Sequence, residues 1–288
     1  MSFSGEVKQE LAKHFSPARH CQLAELAAIL HFCGEYGRDG EGRYAIGLQT
    51  ENEMIVRKCF TLLKKTFNID TDNWIDEAKM QELFSKIGNP EDVVSSLLLK
   101  NSCCQRAFLR GAFLSVGSIS DPSKAYHLEF VCPTKDKAEQ LRSVMANFEV
   151  EAKIVLRKKY HVVYLKEGSG IVDLLNVMEA HVSLMNLENL RILKEMRNSI
   201  NRRVNCETAN ISKTVSAASR QISDIEFLRD AYGFSRLPAQ LREMAQVRLE
   251  NPDAPLKDLG QLLDPPVGKS GVNHRLRKLS ELAESVRN

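Results

Sequence analysis

The chain of 288 residues is 43% hydrophobic, 27% charged and 7% aromatic, a globular composition too rich in apolar side chains for intrinsic disorder, and its length favours two or more domains. No run of about 18 apolar residues occurs, and residues 1–8 carry charge where a signal peptide needs an apolar stretch, so the sequence reads as a soluble cytoplasmic protein with no membrane partner. The net charge of +3 is unevenly spread: Lys and Arg number 17 against 12 Asp and Glu from Arg191 onward, and 23 against 25 before it. Such a surplus acquires meaning only if a motif concentrates it.

An opening helix follows Ser4 as its cap, with Val7 and Leu11 one turn apart. Residues 22–37 then read as an apolar helix carrying Leu23, Leu26, Ala27, Leu30 and Cys33 and stopping at glycine. A turn at residues 39–42, a strand over 44–49 and a helix over 52–67 come next; the helix sets Ile55, Cys59, Leu62, Leu63 and Phe67 at steps of three and four. The same order returns about 80 residues later as a helix over 103–117, a strand over 127–132 and a helix over 135–148. Leu26 to Leu109, Tyr44 to Tyr126 and Phe67 to Phe148 keep nearly one offset, which an internal duplication explains economically.

In the second copy residues 150–157 and 161–166 read as two strands with Lys158, Lys159 and Tyr160 as their turn, and 170–178 as a closing helix. In the first copy residues 69–75 read as one strand, followed by a helix over 79–87. The small residues Ala27, Ala28, Gly34, Gly111, Ser115 and Gly117 let the two leading helices approach closely at a pseudo-twofold axis. A polar amphipathic helix over 187–205 then leaves this unit and continues through 205–210 into a helix over 211–232. It carries Arg202, Arg203, Lys213 and Arg220, cations that suit a solvated linker and are compatible with phosphate contact.

Seven cysteines form no C-x-x-C pair and mostly lie in apolar stretches, as reduced structural thiols do. The dense group His14, His20, Cys21, His31 and Cys33 matches no zinc spacing, so neither a metal nor a cofactor is expected. The clearest chemistry lies in the last fifty residues. Helices over 237–248 and 256–263, a bend over 264–268, and a third helix capped by Ser270 form a helix-turn-helix pattern. Val272, Leu276, Leu279 and Leu282 form the inner stripe of the third helix. Between Pro265 and Ser280 stand five Lys, Arg or His side chains and no Asp or Glu. In such motifs the second helix enters the major groove, where Asn suits adenine, Arg suits guanine and Lys suits phosphate. Double-stranded DNA is therefore the expected partner; the plainer alternative is a hairpin ending in an amphipathic surface helix. Gly268-Lys269-Ser270 is not a phosphate loop, because Leu263 stands where its first glycine belongs and no strand precedes it.

Three stretches carry a resemblance: Ser2-Phe3-Ser4 with Val7 to Leu11; Asn201 to Asn210 with Lys213-Thr214; and Lys269-Ser270-Gly271-Val272-Asn273-His274-Arg275-Leu276-Arg277-Lys278-Leu279. In them the chain closely resembles the WhiA family of bacterial transcription regulators over nearly its whole length. The resemblance implies an α+β architecture: a duplicated α/β domain with the fold of LAGLIDADG homing endonucleases, a helical linker and an all-α helix-turn-helix domain. On this chain that gives an N-terminal helix over 1–20, the duplicated domain over 21–186 with repeats near 21–88 and 103–180, a linker over 187–235 and the DNA-binding domain over 236–288. In the endonucleases each leading helix ends in an acid that holds catalytic divalent ions; here those positions are Cys33 and Val116, so no catalytic residue is expected. The implied function is sequence-specific transcription regulation linked to sporulation or cell division, at the nucleoid, without nuclease activity. Ser270, Asn273, His274 and Arg275 would read bases, and Lys269, Arg277 and Lys278 would hold phosphates, with Lys257, Arg202, Arg203 and Lys213 as further phosphate contacts. The alternatives are a working endonuclease, or an adaptor that recruits a protein of the transcription machinery through the front domain.

Overall fold

The computed structural model describes residues 2–41, 43–70 and 75–287, and the chain divides into two compact units, Met1–Glu195 and Met196–Asn288. In the first, α1 (Phe3–Lys13) is capped by Ser2, whose hydroxyl accepts from the Gly5 N–H at 3.2 Å. Ser4, expected as the cap, instead lies within the helix and accepts from the Ile119 N–H at 3.3 Å. Its partner is 115 residues away, so the tertiary contact takes the hydroxyl that local sequence would assign to the helix end.

The duplication is plain in the paired helices α2 (Arg19–Cys33) and α5 (Ser102–Val116), each 15 residues long and displaced by 83 along the chain. Between them lie β1 (Gly34–Arg38), β2 (Tyr44–Leu48), α3 (Glu53–Phe67) and α4 (Glu77–Ile87). After α5 come β3 (Gly117–Ile119), β4 (Leu128–Cys132), α6 (Lys135–Ala146), β5 (Lys153–Arg157), β6 (Tyr160–Leu165) and α7 (Gly168–Val177). The first repeat holds the antiparallel pair β1-β2; the second holds an antiparallel sheet in the order β3-β4-β6-β5.

The helix expected over 22–37 stops at Cys33, and its last four residues belong to β1. Periodicity overran because the chain passes from helix to strand at Gly34 without a loop. What fixes the strand is pairing, from Gly34↔Leu48 to Arg38↔Tyr44, and the edge-on packing of Tyr36 against Phe84 at 5.5 Å between ring centroids. The strand expected over 69–75 is not seen at Ile69 or Asp70, and Ile75 makes an isolated bridge to Tyr44; residues 71–74 lie outside the described ones. Tyr160, expected in the turn of the second hairpin, opens β6 opposite Arg157, which leaves Lys158-Lys159 as a two-residue loop.

Helices α2 and α5 pack along their length and bury Leu26, Ala27, Ala28, Leu109 and Ala112 completely. At Gly111 the approach is close: a β-carbon there would strike the carbonyl oxygen of Glu25 and crowd the Ala28 methyl, so no other residue fits without moving the helices apart.

His31, on α2, is buried with Nε2 3.0 Å from the Ile87 carbonyl and Nδ1 3.2 Å from that of Asp92. Burial lowers its pKa below the usual value; the Asp92 and Ile87 carbonyls oppose the shift and the Lys137 ammonium reinforces it. His14 is likewise lowered, chiefly by burial and then by Arg110. A folded pKa below the unfolded one means that the unfolded chain binds more protons once pH drops under about 6.5. Stability of this unit is therefore lost from there down to the folded pKa values. Denaturant unfolding between about pH 7 and about pH 5.5 checks this: His31→Gln shows a smaller loss over the interval than the parent chain, and an equal loss counts against the assignment.

Helix α8 (His181–Ala231) runs for 51 residues without a glycine or proline, so the polar run Asn205 to Asn210 continues the helix. Among the described residues no helix is long and apolar enough to cross a membrane. In the second unit the end of α8 is followed by a single 3₁₀ turn (Phe234–Arg236), α9 (Ala239–Glu250), α10 (Leu256–Gln261) and α11 (Lys269–Arg287). Ile225, Leu228, Leu237, Met244, Ala245, Leu259, Leu263, Val272, Leu276, Leu279 and Ala283 form its core.

Candidate nucleic-acid interface

The turn between α10 and α11 is held by the Val267 N–H donating to the Gly260 carbonyl at 2.8 Å. A β-carbon at Gly260 would collide with the Val267 carbonyl oxygen and touch Val272, so glycine sets how closely the turn folds back on α10. Helix α11 begins at Lys269, one residue before its expected cap. Gly268 occupies the cap position, its carbonyl accepting from the Gly271 and Val272 N–H groups at 2.9 and 3.1 Å. Ser270 therefore lies exposed in the first turn, where its hydroxyl is available to an outside partner.

The apolar residues fix which side of α11 meets solvent. Val272, Leu276, Leu279 and Ala283 are buried, whereas Leu282, expected with them, is only partly so. At about 100° per residue, Ser270, His274, Arg277 and Lys278 then fall on the side away from the core. All four are exposed, as is Lys269 at the helix start. Arg277 pairs with Glu281 one turn on, at 3.1 Å.

Two expected base readers are placed differently. Arg275 lies on the flank towards α9 with its side chain only 16% exposed, and its Nη1 stands 3.7 Å from the Glu243 carboxylate. The same Glu243 accepts from the Asp264 N–H at 2.7 Å through its other oxygen, so Arg275 faces the carboxylate that anchors the turn. Asn273 is exposed but lies on the opposite flank, lining a cleft with Arg220 and Gln221 of α8 and Glu284 of α11. The leucine stripe announced the buried side of α11, but the residues on its flanks depend on neighbours that periodicity does not place.

The remaining expected phosphate contacts, Lys257 on α10 and Arg202, Arg203 and Lys213 on α8, are all exposed. Arg203 pairs with Glu207 at 3.5 Å. Sequence reasoning did not single out Glu243, whose role needed the turn geometry, or Asp224, which is buried and accepts from Arg287 at 2.9 Å, joining the ends of α8 and α11.

Residues 200–283 match the model of the WhiA C-terminal HTH domain, residues 105–197 that of the WhiA LAGLIDADG-like domain, and residues 19–80 that of the WhiA N-terminal LAGLIDADG-like domain. The chain is also 52% identical to a protein named probable cell division protein WhiA from Lachnoclostridium phytofermentans, over the whole of both chains. It belongs to the WhiA family. A relative of the same name from Alkaliphilus oremlandii is 48% identical over 99% of this chain and 98% of its own. The crystal structure of full-length DUF199/WhiA from Thermatoga maritima aligns over 99% of each chain with a TM-score of 0.60 at 24% identity, a likeness of fold.

In this WhiA chain the paired helices of the LAGLIDADG-like domains end in Cys33 and Val116. The Cys33 thiol is buried and donates to the Ile29 carbonyl at 3.3 Å, and Val116 offers no donor atom. The nearest acids beyond the helix ends are Glu35, exposed on β1, and Asp121, exposed in a loop where it accepts from the Ser123 N–H at 2.8 Å. Hard divalent ions prefer several oxygen ligands, and neither helix terminus supplies one from its side chain.

Proposed function

We propose that this chain binds double-stranded DNA sequence-specifically through α11 and regulates transcription without cutting DNA, in connection with cell division, the process named in its relatives. The observation that carries the reading is the exposed side of α11, where Ser270, His274, Arg277 and Lys278 stand opposite a leucine-lined core in a helix-turn-helix unit. These residue types suit such a role, since Arg presents a planar fork to guanine, while Lys and the helix start favour phosphate. The absence of cleavage is inferred from Cys33 and Val116, which replace the carboxylates that metal-assisted hydrolysis requires.

Genome-wide footprinting of the intact protein beside the triple variant His274→Ala, Arg277→Ala, Lys278→Ala tests this reading. The variant is expected to lose the protected sites, and an unchanged footprint refutes α11 as the reading helix. A supercoiled plasmid carrying a protected site is expected to stay intact with protein and magnesium; nicking at that site would establish the endonuclease instead.

A further inference from the structure

The dense group His14, His20, Cys21, His31 and Cys33 does not stay together in the fold. The His14 ring stands 3.1 Å from Glu179, His31 faces two carbonyls, and Cys33 lies at the far end of α2. Only His20 and Cys21 remain together, and they meet Cys103 and Cys104 of the second repeat. The His20 Nδ1 atom stands 3.1 Å from Cys104 Sγ, 3.4 Å from Cys21 Sγ and 4.0 Å from Cys103 Sγ, and the four donor atoms all lie within 4.8 Å of one another. A tetrahedral ion with bonds of about 2.3 Å to sulfur and about 2.0 Å to nitrogen separates its ligand atoms by about 3.6 Å, inside this range.

The placement follows from the duplication. The displacement of 83 residues between α2 and α5 puts His20 and Cys21 in equivalent positions to Cys103 and Cys104, the second and third residues of their helices. Each repeat thus contributes one adjacent pair, and the pseudo-twofold packing of the two helices brings the pairs together. Neither helix has a side-chain cap or an acid in its first turn. Two helix N-termini, each bearing partial positive charge, therefore converge on the group. The group is about 20 Å of helix away from Cys33 and Val116, so it is separate from the positions of the lost nuclease chemistry.

We propose that His20, Cys21, Cys103 and Cys104 bind one zinc ion, which staples the two LAGLIDADG-like repeats together at the N-terminal ends of their paired helices. The three cysteines coordinate as thiolates, releasing their protons to solvent, and His20 coordinates through Nδ1 with its proton on Nε2; three thiolates and one dication leave a net charge of −1, facing the two helix dipoles. Cys21 and Cys104 are buried, while His20 and Cys103 lie at the surface and give the ion a route of entry.

The test uses the full chain purified under reducing conditions without chelator. Elemental analysis is expected to find one zinc per chain, and metal-free protein given cobalt(II) is expected to develop the thiolate-to-cobalt charge-transfer and tetrahedral ligand-field bands. His20→Ala and Cys103→Ser change exposed side chains and are expected to keep the fold by circular dichroism while losing the stoichiometric metal; Cys206→Ser, outside the group, is expected to keep it. Folded parent protein that neither carries zinc nor takes up cobalt overturns the proposal, as does metal retained in full by either ligand variant or lost equally in Cys206→Ser. A disulfide among Cys21, Cys103 and Cys104 in metal-free protein purified anaerobically overturns it as well.

Discussion

Replacing Glu25 by leucine is expected to destabilise the N-terminal unit by about 3–5 kcal/mol, the scale for removing one partner of a buried ion pair. Glu25 sits fully buried on α2, and its Oε1 receives Lys58 Nζ at 2.6 Å and Arg110 Nε at 3.1 Å. Lys58 comes from α3 and also donates to the carbonyls of Leu11 and His14, both at 2.6 Å, which ties the end of α1 into the same group. Arg110, on α5, is shared with Glu179 at 2.6 Å. One carboxylate thus joins cations from both repeats at their interface.

Burial lowers the Lys58 pKa, and the Glu25 carboxylate is what opposes that shift. Without Glu25 the ammonium keeps two carbonyls but loses its counter-charge, whereas Arg110 retains Glu179. The larger part of the expected cost therefore falls on Lys58. The double variant Glu25→Leu, Lys58→Met removes the stranded charge together with its partner and is expected to recover part of the loss. Denaturant unfolding of the full chain, followed by circular dichroism with the transition of the C-terminal unit as internal reference, reads this directly. A loss under about 1 kcal/mol for Glu25→Leu would place the pair on the scale of solvated surface bridges and remove it as a determinant of repeat packing.

How far the sequence reveals this molecule depends on the range of the interaction that decides each feature. Helices α3 and α6 were legible because buried residues recur every three or four positions, and α8 because its apolar residues do so over part of its length. The duplication was legible because apolar and aromatic landmarks keep their offset. Strand β1 was not, because Glu35 and Tyr36 are assigned to it by pairing with β2, whose residues come ten or more positions later. The α11 inner side could be read from Val272, Leu276 and Leu279, but the flanks on which the expected base readers Arg275 and Asn273 lie could not, since their neighbours belong to α9 and α8. The grouping of His20 and Cys21 with Cys103 and Cys104 was implicit in the repeat offset. No ligand pair within one loop or turn marks it, because each repeat brings two adjacent residues with no spacing pattern of its own.

The placement of side chains on α11 predicts distinct binding signatures for variants that composition alone would treat alike. On a footprinted site, Lys269→Ala and Lys278→Ala are each expected to lower the salt dependence of binding by about one phosphate contact, weakening all sequences evenly. Arg277→Ala and His274→Ala are expected to cost about 1–3 kcal/mol on the cognate site and to relax preference at a single base position, provided Arg277 exchanges Glu281 for a base edge. That exchange is inexpensive, because the Glu281 pair is exposed on both sides. Arg275→Ala is expected to behave differently from both. Its guanidinium faces Glu243, the carboxylate that holds the turn through the Asp264 N–H, so the variant should leave base preference unchanged and lower the stability of the C-terminal unit. Binding titrations over a range of salt against the site and its single-base substitutions separate the three classes. If Arg275→Ala relaxed preference while Arg277→Ala and His274→Ala did not, the groove would have to meet the α9 flank of α11 rather than the side opposite its core.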